Sequence, residues 1–93
     1  MNDVMQRAVK IIAGELATLP GRLSASTEFV DDLQLDALEM TSLAMAMEAA
    51  FRVVFEPGAE QQWVTVGDAV RAVEFALHAR PPVLFALPVA LQA

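Results

Sequence analysis

The chain has 93 residues, a net charge of −6, no cysteine and 56% apolar residues. That length supports one domain with a modest core, because a domain of this size hides only about 60–65% of the surface its unfolded chain exposes. The missing cysteines exclude disulfides and thiolate metal sites. The single histidine, His78, argues against a zinc centre or a His-based triad, and the acidic balance argues against binding a nucleic-acid backbone. No window holds the ~18 consecutive apolar residues of a membrane span, and no basic start precedes an apolar run as in a signal peptide. The expectation is a small, soluble, cytoplasmic domain that is not an enzyme.

The first helical pattern opens at Asp3, with Gln6 placed three residues on as in a capping box. Met5, Ala8, Val9, Ile12, Leu16 and Leu19 follow at helical spacing, and Pro20-Gly21 is the expected stop. A connection of about fifteen residues runs from Gly21 to Leu35, long for a compact domain. Its apolar residues Leu23, Phe29, Val30, Leu33 and Leu35 are expected to lie against the core. The second pattern opens at Asp36 with Glu39 in the reciprocal capping position; Met40, Leu43, Met47, Ala50 and Phe51 form its stripe, and it should end near Arg52. Val53 to Val64 connects onward through Pro57-Gly58, with room for one short helical turn between Ala59 and Trp63. The third pattern opens at Thr65, with Asp68 three residues on. Val66, Ala69, Val70, Val73 and Leu77 form its stripe, and Pro81-Pro82 ends it by Arg80. No strand alternates convincingly. The expected fold class is all-α: a small four-helix bundle of three main helices plus one short helix.

The reading divides the chain into a domain at 1–80 and an apolar, uncharged, proline-containing extension at 81–93. That extension either folds along the body or docks on a partner. Trp63 is expected to pack over the core or the extension, and His78 to sit on the surface at the end of the last helix.

Charge is unevenly placed. Eight acids lie between Glu28 and Glu60 against Arg52 alone, so this segment nets −7 while the rest of the chain nets +1. A concentrated negative field steers basic partners. Within it runs Phe29-Val30-Asp31-Asp32-Leu33-Gln34-Leu35-Asp36-Ala37-Leu38-Glu39-Met40, an acidic loop entering a helix that begins Asp-Ala-Leu. Over roughly residues 4–79 the chain resembles the acyl carrier protein family, which has Asp-Ser-Leu at this point. Phe51 closing the second helix, the Pro57 turn with its short helix, and the Thr65-Val66 start of the last helix match as well. A peptidyl carrier would instead bring a Gly-Gly-(His/Asp)-Ser run, where this chain has Leu35-Asp36.

The resemblance implies a carrier of acyl intermediates in fatty acid or polyketide-type biosynthesis, with 4′-phosphopantetheine as its cofactor on the family serine. Position 37 is alanine here, and alanine offers no oxygen to the arm, so no cofactor is expected on this chain. Thr41 and Ser42 lie a turn or more along the helix and are poor substitutes. Two readings of Ala37 follow. One is an engineered Ser-to-Ala replacement giving an unmodifiable apo protein, favoured by the retained Asp36, Leu38 and Glu39. The other is a natural armless carrier-like module that scaffolds a partner.

By the same resemblance the cofactor site is Ala37 with Asp36. Partners would be a phosphopantetheinyl transferase and acyl-processing enzymes such as a ketosynthase, acyltransferase, dehydratase or ligase, in a transient or stable complex. Family acids on the second helix contact partner Arg and Lys residues. Ser42 and Ala49 thin that set here, so the expected partner face combines Glu39 and Glu48 with Leu38, Met40 and Met45. Phe29, Leu33, Leu43, Met47 and Phe51 are core residues that would also border an acyl chain. Asp31, Asp32, Glu56 and Glu60 are read as a solvated acidic face.

Overall fold

The computed structural model describes residues 3–79, in which three α-helices are joined by two long, pinned connections. They are α1 (Asp3–Leu16), α2 (Ala37–Phe51) and α3 (Val66–Ala79), with short 3₁₀ turns at Pro20–Arg22 and Ala59–Gln62. No strand forms among the described residues; one isolated antiparallel bridge pairs Glu28 with Thr65. The expected all-α bundle is therefore what forms, with the expected short turn at Ala59–Gln62 and a further one at Pro20–Arg22, inside the first connection. Arg80 and the 81–93 extension lie outside the described residues.

α1 and α2 run antiparallel. Near the start of α1, Arg7 donates to the Ala50 carbonyl at 3.3 Å and its guanidinium lies 4.5 Å from the centre of the Phe51 ring, both at the end of α2. At the other end, Glu15 and Leu16 meet Leu38, Glu39, Ser42 and Leu43. The buried face of α1 is Ala8, Val9, Ile12 and Ala13. It packs into one core with Met40, Leu43, Ala44, Met47 and Phe51 of α2, and with Val66, Ala69, Val70 and Val73 of α3. Leu77 packs against that core, half-buried.

Several boundaries differ from the sequence reading for local reasons. α1 stops at Leu16, four residues before Pro20. Ala17 turns left-handed at φ 55°, and the Thr18 amide donates to the Ala13 carbonyl at 2.9 Å, closing the helix. The ring of Pro20 holds the preceding Leu19 extended, and Leu19 is 66% exposed, outside the expected stripe. In α2, Ala44 takes the buried place assigned to Ala50, which is exposed. Arg52 caps α2 in the left-handed region at φ 57°, and the amides of Arg52 and Val53 return to the Glu48 carbonyl.

The first connection lies on the core through Leu23, Phe29 and Leu35, with Leu33 half-buried. Val30 is exposed, because residues 28–35 coil into a tight turn whose outer side it occupies: the Gln34 amide reaches the Val30 carbonyl at 2.9 Å, and the Leu35 amide reaches the Phe29 carbonyl at 3.0 Å. Backbone bonds from Phe29 to Val64 and from Val66 to Thr27, both 2.9 Å, fasten this loop to the start of α3. Gly67 makes that junction possible, since a Cβ there would stand 3.0 Å from the Ala25 carbonyl oxygen that its own amide binds. The second connection is held by Trp63, buried and edge-on to Phe55 with ring centres 5.1 Å apart.

Phe29 is fully buried where the loop, α2 and α3 converge. Replacing it by alanine should cost about 3–5 kcal/mol, read as a lowered urea midpoint; a midpoint unchanged from the parent would show that the loop does not anchor on the core.

Candidate functional site

The site is built by the switch from loop to helix at Asp36. This residue is extended (φ −97°, ψ 178°), and its Oδ1 accepts the Glu39 amide at 2.7 Å. Glu39 reciprocates, its Oε1 accepting the Asp36 amide at 3.0 Å. The expected capping box is therefore complete. It fixes Ala37 as the first residue of α2, exposed, at the positive end of the helix dipole where an anionic group is favourably placed. The corresponding box at Asp3 and Gln6 falls at the edge of the described residues.

A second set of bonds, from the Ala59–Gln62 turn, holds the same helix start. The Ala37 carbonyl accepts from the Thr41 hydroxyl at 3.1 Å and from Gln61 Nε2 at 3.2 Å. Thr41 Oγ1 also lies 3.0 Å from Glu60 Oε2, so its single proton is shared between that carboxylate and the Ala37 carbonyl, and Gln61 Nε2 donates to Thr41 Oγ1 at 3.3 Å. Glu60 is buried, not part of a solvated face as its acidity suggested. Its own backbone amide holds the carboxyl below the usual range, helped by the Thr41 hydroxyl and the Gln61 amide and opposed by burial. Nothing local in the sequence signals this contact, which joins residues 19 apart.

The acidic approach is crowded. Glu28 has its carboxyl pushed up, first by the hydrogen bond to Asp31, then by the charges of Asp31 and Asp32. Asp31, Asp32 and Glu56 are exposed as expected, although Asp32 Oδ2 also accepts the Glu28 amide at 2.8 Å. At the start of α3, Asp68 and Thr65 cap each other: Asp68 Oδ2 accepts the Thr65 amide at 3.0 Å, and Thr65 Oγ1 accepts the Asp68 amide at 3.1 Å. Those backbone bonds from Thr65 and Val64, with Arg71 nearby, hold the Asp68 carboxyl low. His78 is exposed, with Nδ1 2.8 Å from the Glu74 carbonyl.

The residues expected to face a partner separate into two groups. Leu38 and Met45 are 75% and 63% exposed, and Glu39, Ser42 and Ala49 are exposed with them. Met40 does not belong there: at 4% exposure it is a core residue, because it falls on the buried stripe of α2 with Leu43, Ala44 and Met47. Glu48 is half-buried, and its Oε2 accepts the Phe55 amide at 2.7 Å, so it holds the end of α2 as well as carrying charge. Phe29, Leu43, Met47 and Phe51 are buried in the common core, with Leu33 half-buried against it.

No protein-family model matches the chain. Curated relatives do. The chain is 37% identical over 74 residues to an acyl carrier protein of Sinorhizobium fredii (strain NBRC 101917 / NGR234), which covers 80% of this chain and 95% of that protein. It is equally similar to the acyl carrier protein AcpP of Rhizobium meliloti (strain 1021), at 37% identity with 80% and 95% covered. The acyl carrier protein of Phenylobacterium zucineum (strain HLK1) is 35% identical over 79 residues, covering 85% of this chain and all of that protein (100%).

The Glu60 contact predicts a pH dependence with a definite sign. A carboxyl whose folded pKa lies below its unfolded value stabilises the fold when ionised. That contribution is present above the ordinary glutamate value of about 4.3 and is lost as pH falls through it toward the folded value. Glu60→Gln should therefore show a shallower fall in urea midpoint with pH across this window than the parent chain. Identical slopes would show that the Glu60 charge takes no part in holding the turn to α2.

Proposed function

The chain belongs to the acyl carrier protein family, and from that premise we propose that its serine-bearing form tethers acyl intermediates for fatty acid or polyketide-type biosynthesis in the cytoplasm, while the Ala37 chain is an unmodifiable apo form. The observation that carries the reading is the intact capping box around an exposed position 37. Everything that orients the first residue of α2 is retained, and only the hydroxyl is missing.

The residues present do not fit a covalently attached phosphopantetheine arm. Ala37 ends in a methyl group. The Thr41 hydroxyl is engaged by the Ala37 carbonyl and Glu60, and Ser42 lines the cleft against α1. No step is therefore assigned to the arm on this chain. We read Ala37 as an engineered replacement of the family serine, because Asp36, Leu38 and Glu39 around it all keep family-type residues.

In this account the carrier performs no chemistry of its own. Asp36 caps the helix and presents position 37 to a phosphopantetheinyl transferase. Leu38 and Met45 give apolar contact to acyl-processing enzymes such as ketosynthases, acyltransferases, dehydratases or ligases, while Glu39 and Glu48 add negative charge. Each glutamate spends one oxygen on a backbone amide and keeps the other for a partner. Phe29, Leu33, Leu43, Met47 and Phe51 would border an acyl chain if the core opened between the helices. No described helix is long and apolar enough to cross a membrane.

Ala37→Ser, incubated with coenzyme A and a promiscuous phosphopantetheinyl transferase, should gain one arm by intact mass, and the parent chain should gain none. No gain in the serine variant with several transferases would favour the armless scaffold instead.

A further inference from the structure

We propose that the extension at 81–93 packs back on the outer side of α3 with Phe75 as its anchor, an inference independent of the carrier reading. Phe75 is 75% exposed and stands outside the common core. It does not stand alone. Ala72, Phe75, Ala76 and Ala79 recur at i, i+3, i+4 and i+7, which aligns them along one side of the helix, next to the buried stripe of Val66, Ala69, Val70 and Val73. Ala72 and Ala76 are half-buried and Ala79 is exposed, so small side chains leave Phe75 rising from a shallow apolar track. Arg71, Glu74 and His78 occupy the remaining side of α3.

The chain itself supplies the cover. Arg80 precedes a proline and is biased away from helical geometry, and Pro81-Pro82 cannot continue α3, so the chain must leave the helix axis directly after Ala79. No charged side chain lies between Pro81 and Ala93, and Val83, Leu84, Phe85 and Leu87 come first. Extended backbone over residues 83–87 spans about 16 Å, the length of about eleven helical residues. That reach covers the track from Ala79 back past Phe75 to Ala72. The tether is short, so closing the loop costs little entropy and the local concentration of the extension is high. Leu19, Val30 and Val54 are exposed as well, but they lie on earlier connections and lack this proximity along the chain. The Phenylobacterium relative is matched along its full length by 79 residues, so the carrier unit does not require all 93. Left uncovered, an apolar track and an apolar extension on one molecule would favour self-association.

The test uses the full chain, which has no cysteine, so Ala86→Cys takes a single nitroxide label on the extension. With that chain ¹⁵N-labelled, the amides of Ala72, Phe75, Ala76 and Ala79 should be the most strongly broadened, and reducing the nitroxide should restore them. Adding Phe75→Ser should remove this localised broadening while the amides of the buried helical residues keep their positions, because Phe75 lies outside the core. Phe75→Leu, which keeps an apolar anchor, should retain most of it. A mixture of ¹⁵N chain without the spin label and spin-labelled chain without ¹⁵N should show no broadening of α3. Broadening centred on α1 or α2, spread evenly over the surface, absent from α3 or unchanged by Phe75→Ser would each overturn the proposal. Broadening of α3 in the mixed sample would also overturn it, and would assign the track to a second copy of the chain.

Discussion

The reciprocal bonds between Asp36 and Glu39 decide where loop becomes helix, and the site depends on that boundary. Without a cap the first turn of a helix has unpaired amides and frays. With the box closed, position 37 is pinned as the first residue of α2 whatever its side chain, so the methyl of Ala37 rests in the place a serine would hold. The stripe Met40, Leu43, Ala44, Met47 and Phe51 is set by the same start: a shift of one residue would rotate it by about 100° and turn Met40 out and Thr41 in.

Both long connections serve this boundary. The loop before α2 is anchored by Phe29 in the core and stitched to the start of α3 through Val64 and Thr27. The turn after α2 reaches back with Glu60 and Gln61 to grip Thr41 and the Ala37 carbonyl. A buried carboxylate is costly unless its lone pairs are satisfied, and Glu60 finds its donors in its own backbone amide, the Gln61 side chain and the Thr41 hydroxyl of α2. The polar contact therefore favours one docking of the turn over others, which a purely apolar contact would do less sharply.

What the sequence made legible was local. Capping pairs lie three residues apart and core stripes repeat every three or four, so the starts of α2 and α3 and most of the core are legible directly, including Ile12, Leu43, Met47 and Val73. Chain ends of helices were harder. Pro20-Gly21 marks the expected stop of α1, but the helix closes earlier, at the left-handed Ala17. Ala50 and Ala44 are equally apolar, and only packing against α1 decides which is buried. Met40 fits both a core and a partner pattern in the sequence, and the rotation of α2 buries it. The acidity of Glu60 reads as solvated because its partner Thr41 is remote in sequence.

Acidity, which at first only excluded functions, thus divides into separate roles. Asp36, Glu39 and Asp68 hold helix starts, Glu48 and Glu60 hold the ends of a connection, and Asp31, Asp32 and Glu56 remain on the surface. The central claim is that the site is formed by these backbone contacts and lacks only an oxygen. Its most direct test is a comparison of backbone amide shifts between the Ala37 chain and Ala37→Ser. Changes confined to the first turn of α2 and to the facing Glu60 and Gln61 are the predicted result. Changes spreading through α1 and α3 would contradict it, because the residue at 37 would then be shaping the fold that is supposed to present it.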